Sequence, residues 1–315
     1  MHAIKLPEDV AYYDNQFSGL QVYQNRLYLL AESRLQEKAT AKLCVAGLGT
    51  LRRSLKDTGR ALSFSTYPIH DLDKLRDKIR AAGGDYEGLE AMTIEDNTIY
   101  FSVETATPSP DCYLLRGRLN ESSVQMDTGF MVAIPKFTGA DGKSIYNAGY
   151  EAMTWYEGNL YAFYEYNYFP SSNYVRVLDK FSFTGNQCQH FFPIEKLPFR
   201  ITDITATGGN RFTALNFFFK GDGEDAVYRP DAGDSLNNSL VRLNGSYKNY
   251  ARLVSLLITD TGIRWEPLWE FPENLQGHNW EGIAAYRNGY FVMNDKYTTT
   301  RPNRTVLLYL EKTGR

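Results

Sequence analysis

Short runs of alternating or wholly apolar residues, broken by Gly, Asn and Asp, fill most of the chain. This is the pattern of many antiparallel strands. Five runs share one order: an aromatic or Ile, a polar residue, a small or polar residue, then an aliphatic one. A second, aromatic-rich run follows each. The five are FSGLQVYQNRLYLLAES from Phe17, YEGLEAMTIEDNTIYFSVET from Tyr86, YEAMTWYEGNLYAFYEYN from Tyr150, ITDITATGGNRFTALNFFF from Ile201 and WEGIAAYRNGYFVMNDKY from Trp280. Their starts lie 51 to 79 residues apart, which leaves room for two more strands per unit, such as DCYLLRGRLN and GFMVAIPKF after the second. One stretch has helical period instead. Ile69, Leu72, Leu75 and Ile79 fall three or four apart, Asp71 stands near the start and Gly83 beyond the end, predicting a short helix over 69–82.

Repeated four-strand antiparallel units are the blades of a β-propeller. The fold class expected is therefore all-β, a five-bladed β-propeller forming one domain over residues 1–315. The fifth unit has only three strands, the last being TVLLYLEK. HAIKLP at the N-terminus supplies the missing outer strand, which removes a free edge. A six-bladed ring, with a degenerate blade around the helix, is the alternative. The polar segment 221–238 reads as a long loop within the fold.

Composition narrows the function classes. The chain has 315 residues, 43% of them apolar, with 23 Tyr and 18 Phe, an enrichment that suits half-buried pleated surfaces. A net charge of −3 and the lack of a basic stripe argue against a nucleic-acid partner. No run of 18 apolar residues occurs, so no membrane helix is expected. The N-terminus has no signal-peptide pattern, and localisation stays open between an exported mature protein and a cytoplasmic one. Three scattered cysteines make neither a disulfide framework nor a zinc site. A monomer is expected.

The repeated polar residue carries the chemistry. In a propeller the first strand of each blade lines the central channel, so Ser18, Glu87, Glu151, Thr202 and Glu281 are expected in one ring at its mouth. Three carboxylates confined there repel one another unless their pKa values rise or a cation neutralises them. Carboxylate and hydroxyl oxygens suit a hard cation, Ca2+ before Mg2+. The bland reading is that each Glu bonds backbone amides of the next blade. A second layer at the ends of the second strands comprises Glu32, Glu104, Glu165, Asn216 and Asp295. Glu104, Glu165 and Asp295 are the candidate proton acceptors of a hydrolysis. Arg34, Lys296, Arg301 and Arg304, in loops at the same mouth, are the candidate substrate-binding cations, with Lys38, Lys220, Arg229 and several tyrosines beside them. His278 is a further candidate base. GLGTLRRS at 47–54 lacks the Gly-Lys-Ser/Thr ending of a phosphate loop, and no G-x-S-x-G elbow occurs.

The EGL and WEGIA-type turns resemble the calcium-binding propellers grouped as esterase-like or phytase-like domains. The ring order Ser, Glu, Glu, Thr, Glu is similar to that of the five-bladed calcium-activated nucleotidases (apyrases). The resemblance implies Ca2+ held by Ser18, Glu87, Glu151, Thr202 and Glu281. The Arg-rich substrate signatures of the nucleotidases have no match, so fold and calcium transfer better than a reaction. Two functions follow as expectations. One is a metal-dependent hydrolase of a phosphate ester or anhydride. The other is a non-catalytic propeller that binds a sugar, metabolite or protein, with calcium as a structural ion. In the first the ligand is a small molecule, phosphorylated or not.

Overall fold

The structure is a computed structural model describing residues 1–32, 41–56, 62–139, 142–179, 189–295 and 304–312. Its strands form five antiparallel four-stranded blades. Blade 1 is β2 (Phe17–Tyr23), β3 (Arg26–Ala31), β4 (Lys42–Gly47) and β5 (Ser65–His70). Blade 2 is β6 (Tyr86–Glu95), β7 (Thr98–Thr105), β8 (Asp111–Leu119) and β9 (Val124–Pro135). Blade 3 is β10 (Ala152–Tyr156), β11 (Asn159–Phe163), β12 (Asn173–Asp179) and β13 (Gln189–Ile194). Blade 4 is β14 (Arg200–Gly208), β15 (Arg211–Phe218), β18 (Tyr250–Thr259) and β19 (Gly262–Glu270), with a small hairpin, β16 (Arg242–Leu243) and β17 (Ser246–Tyr247), inserted between β15 and β18. Blade 5 is β20 (Asn279–Tyr286), β21 (Gly289–Asp295) and β22 (Leu307–Glu311), completed by β1 (His2–Ile4). The fold is the all-β propeller expected, with five blades and the N-terminal strand in the last.

The sequence pattern has a direct physical source. A propeller blade is sandwiched between two others, so both faces of its strands are buried. Side chains alternate across a strand. Along β3, Leu27, Leu29 and Ala31 enter the core shared with blade 5, while Tyr28 and Leu30 enter the core shared with blade 2. Five such cores lie between neighbouring blades. The second strands therefore read as continuous apolar runs. Asn and Asp mark the tight turns: Gln24-Asn25 and Asp96-Asn97 hold φ of 42° and 62°, and 49° and 58°, the twist that two-residue hairpins need.

The predicted helix is present but shorter. It is α3 (Leu72–Ala81), whose Leu72, Leu75 and Ile79 pack between blades 1 and 2. Ile69 and His70 instead end β5, where they pair in parallel with Val124 and Gln125 of β9. Among the described residues, three further α-helices that the sequence pattern does not distinguish from loops are α1 (Glu8–Ala11), α2 (Leu48–Lys56) and α4 (Ser235–Val241). Helix α2 seals the core of blades 5 and 1 with Leu48 and Leu51. The segment read as one long loop at 221–238 contains a 3-10 turn (Gly223–Tyr228) and the start of α4, capped where Asp234 accepts the Asn237 amide at 3.0 Å.

Candidate functional site: an acidic mouth on the propeller axis

The repeated polar residue is where an extra residue enters the inner strand. Phe17 pairs with Ala31 and Gly19 with Leu30, leaving Ser18 unopposed. The same shift isolates Glu87 between Tyr86 and Gly88, Thr202 between Ile201 and Asp203, and Glu281 between Trp280 and Gly282. Strand β6 carries a second shift, at Glu90, between Leu89 and Ala91. A β-bulge re-aims the side chain it carries. Glu151 directly precedes β10.

The bulges do not make five equal ligands. The Ser18 hydroxyl donates to the Leu89 carbonyl at 2.6 Å, and that of Thr202 to the Trp280 carbonyl at 2.7 Å, so both tie their blade to the next. Glu87 is half-buried. The carboxylates that converge are Glu90, Glu104 and Glu151, each offering an oxygen within 4.8 Å of the others. All three are buried, and Glu104 Oε1 has no hydrogen-bond partner among the described residues. Glu32 crowds the same place: an added Cβ on Gly88 would lie 2.0 Å from Glu32 Oε2 and 2.7 Å from Glu90 Oε1.

Charge is concentrated here. Burial, followed by the charges of Glu90 and Glu165, holds the Glu104 and Glu151 carboxyls well above their ordinary 4.5. Burial and then Asp295 push Glu281 the same way. Asn279 Nδ2 donates to Glu281 Oε1. Two cations sit nearby, Lys136 buried and Arg200 largely so. Lys136 lowers Glu104 somewhat and donates its Nζ to the Thr105 carbonyl. Arg200 reaches Glu165 at 3.0 Å and Asp225 at 3.3 Å, with its guanidinium 3.9 Å from the centre of the Tyr228 ring. The Tyr228 hydroxyl donates to Glu165 at 2.7 Å. Burial raises Glu165, while Arg200 and Tyr228 oppose the rise.

Directly beyond the bulges, four blades carry a small residue: Gly19, Gly88, Ala152 and Gly282. Blade 4 carries Asp203. Its buried carboxylate accepts backbone N–H groups from Leu20 (3.1 Å), Ile283 (2.7 Å) and Ile204 (2.8 Å). Burial raises its pKa, with the three amides pulling the other way. The inner edges of three blades are thus joined across the axis.

Of the proposed substrate cations, Arg34, Lys296 and Arg301 lie outside the described residues. Arg304 pairs with Glu8 at 3.2 Å and is largely exposed. Asn216 is occupied by the Pro198 and Arg200 carbonyls and by Arg252. Glu90, Asp203, Arg200 and Lys136 were not singled out from sequence. The second acid of YEGLE and the lone acid of ITDIT were the available signals.

No family profile and no curated protein sequence matches the chain. Solved structures do match its fold. A calcium-free form of CoXyl43, a GH43 β-xylosidase/α-arabinofuranosidase from a compost microbial metagenome in complex with xylotriose, shares 7% identity over 100% of this chain and 95% of its own, with TM-score 0.53. A GH43_1 enzyme from Xanthomonas citri complexed with xylotriose shares 9% identity over 99% of this chain and 92% of its own, with TM-score 0.50. At such identity the likeness establishes the architecture, a β-propeller. It lends no support to the narrower phytase-like and apyrase resemblances.

Proposed function

We propose that the acidic mouth holds a hard divalent cation, Ca2+ in preference, and that the ion-loaded mouth hydrolyses a small-molecule substrate. The observation carrying this reading is the convergence of Glu90, Glu104 and Glu151 within 4.8 Å in a buried setting. Like charges so close are compensated by protons or by a cation. An all-oxygen donor set with irregular spacing favours Ca2+. Glu90, Glu104 and Glu151 would hold the ion, and Glu281 would add negative potential. When bound, the ion supplies Lewis acidity toward a substrate oxygen or a water. Glu165, oriented by Arg200 and Tyr228, takes the proton.

Charge also bears on the substrate. The described cations at the cluster, Arg200 and Lys136, are already engaged by protein acceptors. A neutral, hydroxyl-rich molecule of the kind bound in the two xylotriose complexes fits this mouth better than the phosphate ester or anhydride suggested by sequence. A second reading needs no metal. Glu165, charge-paired with Arg200, beside carboxyls driven toward their protonated form, resembles the split acid and base of a glycosidase.

Calcium titration by calorimetry tests the ion; absence of binding, or binding undiminished in Glu104→Gln, sinks it. Glycosides and phosphate esters are then assayed with calcium and with chelator. Turnover that needs calcium supports the hydrolase. Turnover surviving chelation favours the metal-free pair, and calcium binding with no turnover leaves a ligand-binding propeller.

A further inference from the structure

The insertion between β15 and β18, residues 219–249, leaves blade 4 and returns to it at one place. Phe218 and Tyr250 face each other across the ladder, and the Lys220 amide donates to Asn249 Oδ1 at 2.9 Å. A loop whose ends meet can shift without parting the strands that carry it. It is also braced within itself. Arg229 donates to the Gly221 carbonyl at 2.9 Å, Asn238 to the Asp231 and Asp234 carbonyls at 2.8 and 2.9 Å, and the Lys248 amide to the Val241 carbonyl at 2.8 Å. Val241, buried in the core that holds Ile145, Tyr150 and Phe218, anchors its rear.

The front is held by side chains that reach the acidic mouth. Asp225 pairs with Arg200 at 3.3 Å, and the same guanidinium reaches Glu165 at 3.0 Å. The Tyr228 hydroxyl donates to Glu165 at 2.7 Å, and its ring centre lies 3.9 Å from the Arg200 guanidinium. The hydroxyl oxygen also stands 2.8 Å from the Asn147 carbonyl, on the segment that enters blade 3. With Tyr228 in place, Glu165 is 3% exposed. Farther out, Asp231 pairs with Lys196 at 3.2 Å and Asp234 accepts from the Tyr168 hydroxyl. The Lys196–Asp231 pair is largely exposed and contributes little. The ties at Asp225 and Tyr228 therefore decide whether the front stays down.

We propose that this insertion is a lid on the acidic mouth, latched by Asp225 and Tyr228, and that Glu165 meets solvent only when the latch opens. The proposal rests on the reading of Glu165 as a reactive group of the mouth. Closed, the lid orients Glu165 and keeps bulk water from it. Open, it admits a ligand and releases a product, while the blades stay folded.

The test needs neither ion nor substrate, so its outcome is separate from that of the calcium and turnover assays. Hydrogen exchange and carbodiimide labelling of carboxyl groups, both read by mass spectrometry, are compared on the full chain for wild type, Asp225→Asn and Tyr228→Phe. Each substitution is expected to speed exchange over 223–238 roughly tenfold, the scale of one hydrogen bond to a charged group, and to raise Glu165 labelling by a similar factor. Exchange in β6, β11 and β14 should keep its wild-type rate. Exchange over 223–238 that stays within about twofold of wild type in both variants, faster exchange that leaves Glu165 unlabelled, or acceleration that spreads to the blades each overturns the proposal.

Discussion

The Asp203 carboxylate accepts the Ile283 amide at 2.7 Å, although the two residues stand 80 apart in sequence and belong to different blades. With the Leu20 and Ile204 amides it satisfies three donors in a buried setting. Asp203→Ala leaves all three without an acceptor, at about 1–3 kcal/mol for each buried group. The expected loss is about 3–9 kcal/mol in urea denaturation, with Asp203→Asn losing less. A loss below about 1 kcal/mol would show that the blades do not depend on this junction.

Glu104→Gln removes a buried carboxylate from the three-acid cluster. Calcium affinity should fall roughly 100-fold, the upper scale on which groups around a metal site act. In chelator, at a pH high enough to ionise Glu104 in the fold, the same variant should melt higher than wild type, because a buried charge has gone. A lower melting temperature in chelator would mean that Glu104 serves the fold rather than an ion.

The raised carboxyls fix a pH trend. Glu104 and Glu151 bind protons more tightly folded than unfolded, so their contribution to stability is full below about the ordinary 4.5 and is lost as pH rises through their folded values. In chelator the melting temperature should therefore decline from pH 5 upward as far as these groups govern it. Calcium must displace those protons, so its affinity should increase over the same interval. Scanning fluorimetry across pH, with calcium and with chelator, checks both signs.

Ser18 and Thr202 separate two roles for the repeated hydroxyl. Ser18→Ala and Thr202→Val each remove a blade-to-blade hydrogen bond, costing about 1 kcal/mol. If these hydroxyls only latch blades, calcium affinity stays within about twofold, a few tenths of a kcal/mol. A tenfold drop in calorimetry would place them among the ligands, as the repeat alone suggested.

Gly88 leaves no room for a side chain beside the cluster. A methyl there would lie 2.0 Å from Glu32 Oε2 and must displace that carboxylate. Gly88→Ala should weaken calcium at least tenfold and cost about 1–3 kcal/mol, the usual penalty of overpacking. Titration and urea unfolding on the same sample would measure both.

The architecture was legible because a blade buried on both faces imposes an apolar pattern on its strands, and the pattern recurs five times. The site was legible only to the level of a mouth and its charge. Which acid of YEGLE turns inward depends on two ladder shifts in β6, one at Glu87 and one at Glu90, and a one-residue shift reverses every side chain that follows. Arg200 and Tyr228 were obscured differently: their meeting with Glu165 depends on the path of the segment between β15 and β18. Helix α2 was masked by the two glycines of GLGTLRRS, one ending β4 and one in the first turn of the helix, although Leu48 and Leu51 stand on one face.

Strand β1 meets β22 through only three residue pairs, from His2↔Tyr309 to Ile4↔Leu307. Within every other blade, consecutive strands are joined by the chain itself, whereas this join is noncovalent and short. Under tension applied to the two ends, the molecule should yield first at this clasp. The ring would then open like an unhooked bracelet, with four of its blades still intact.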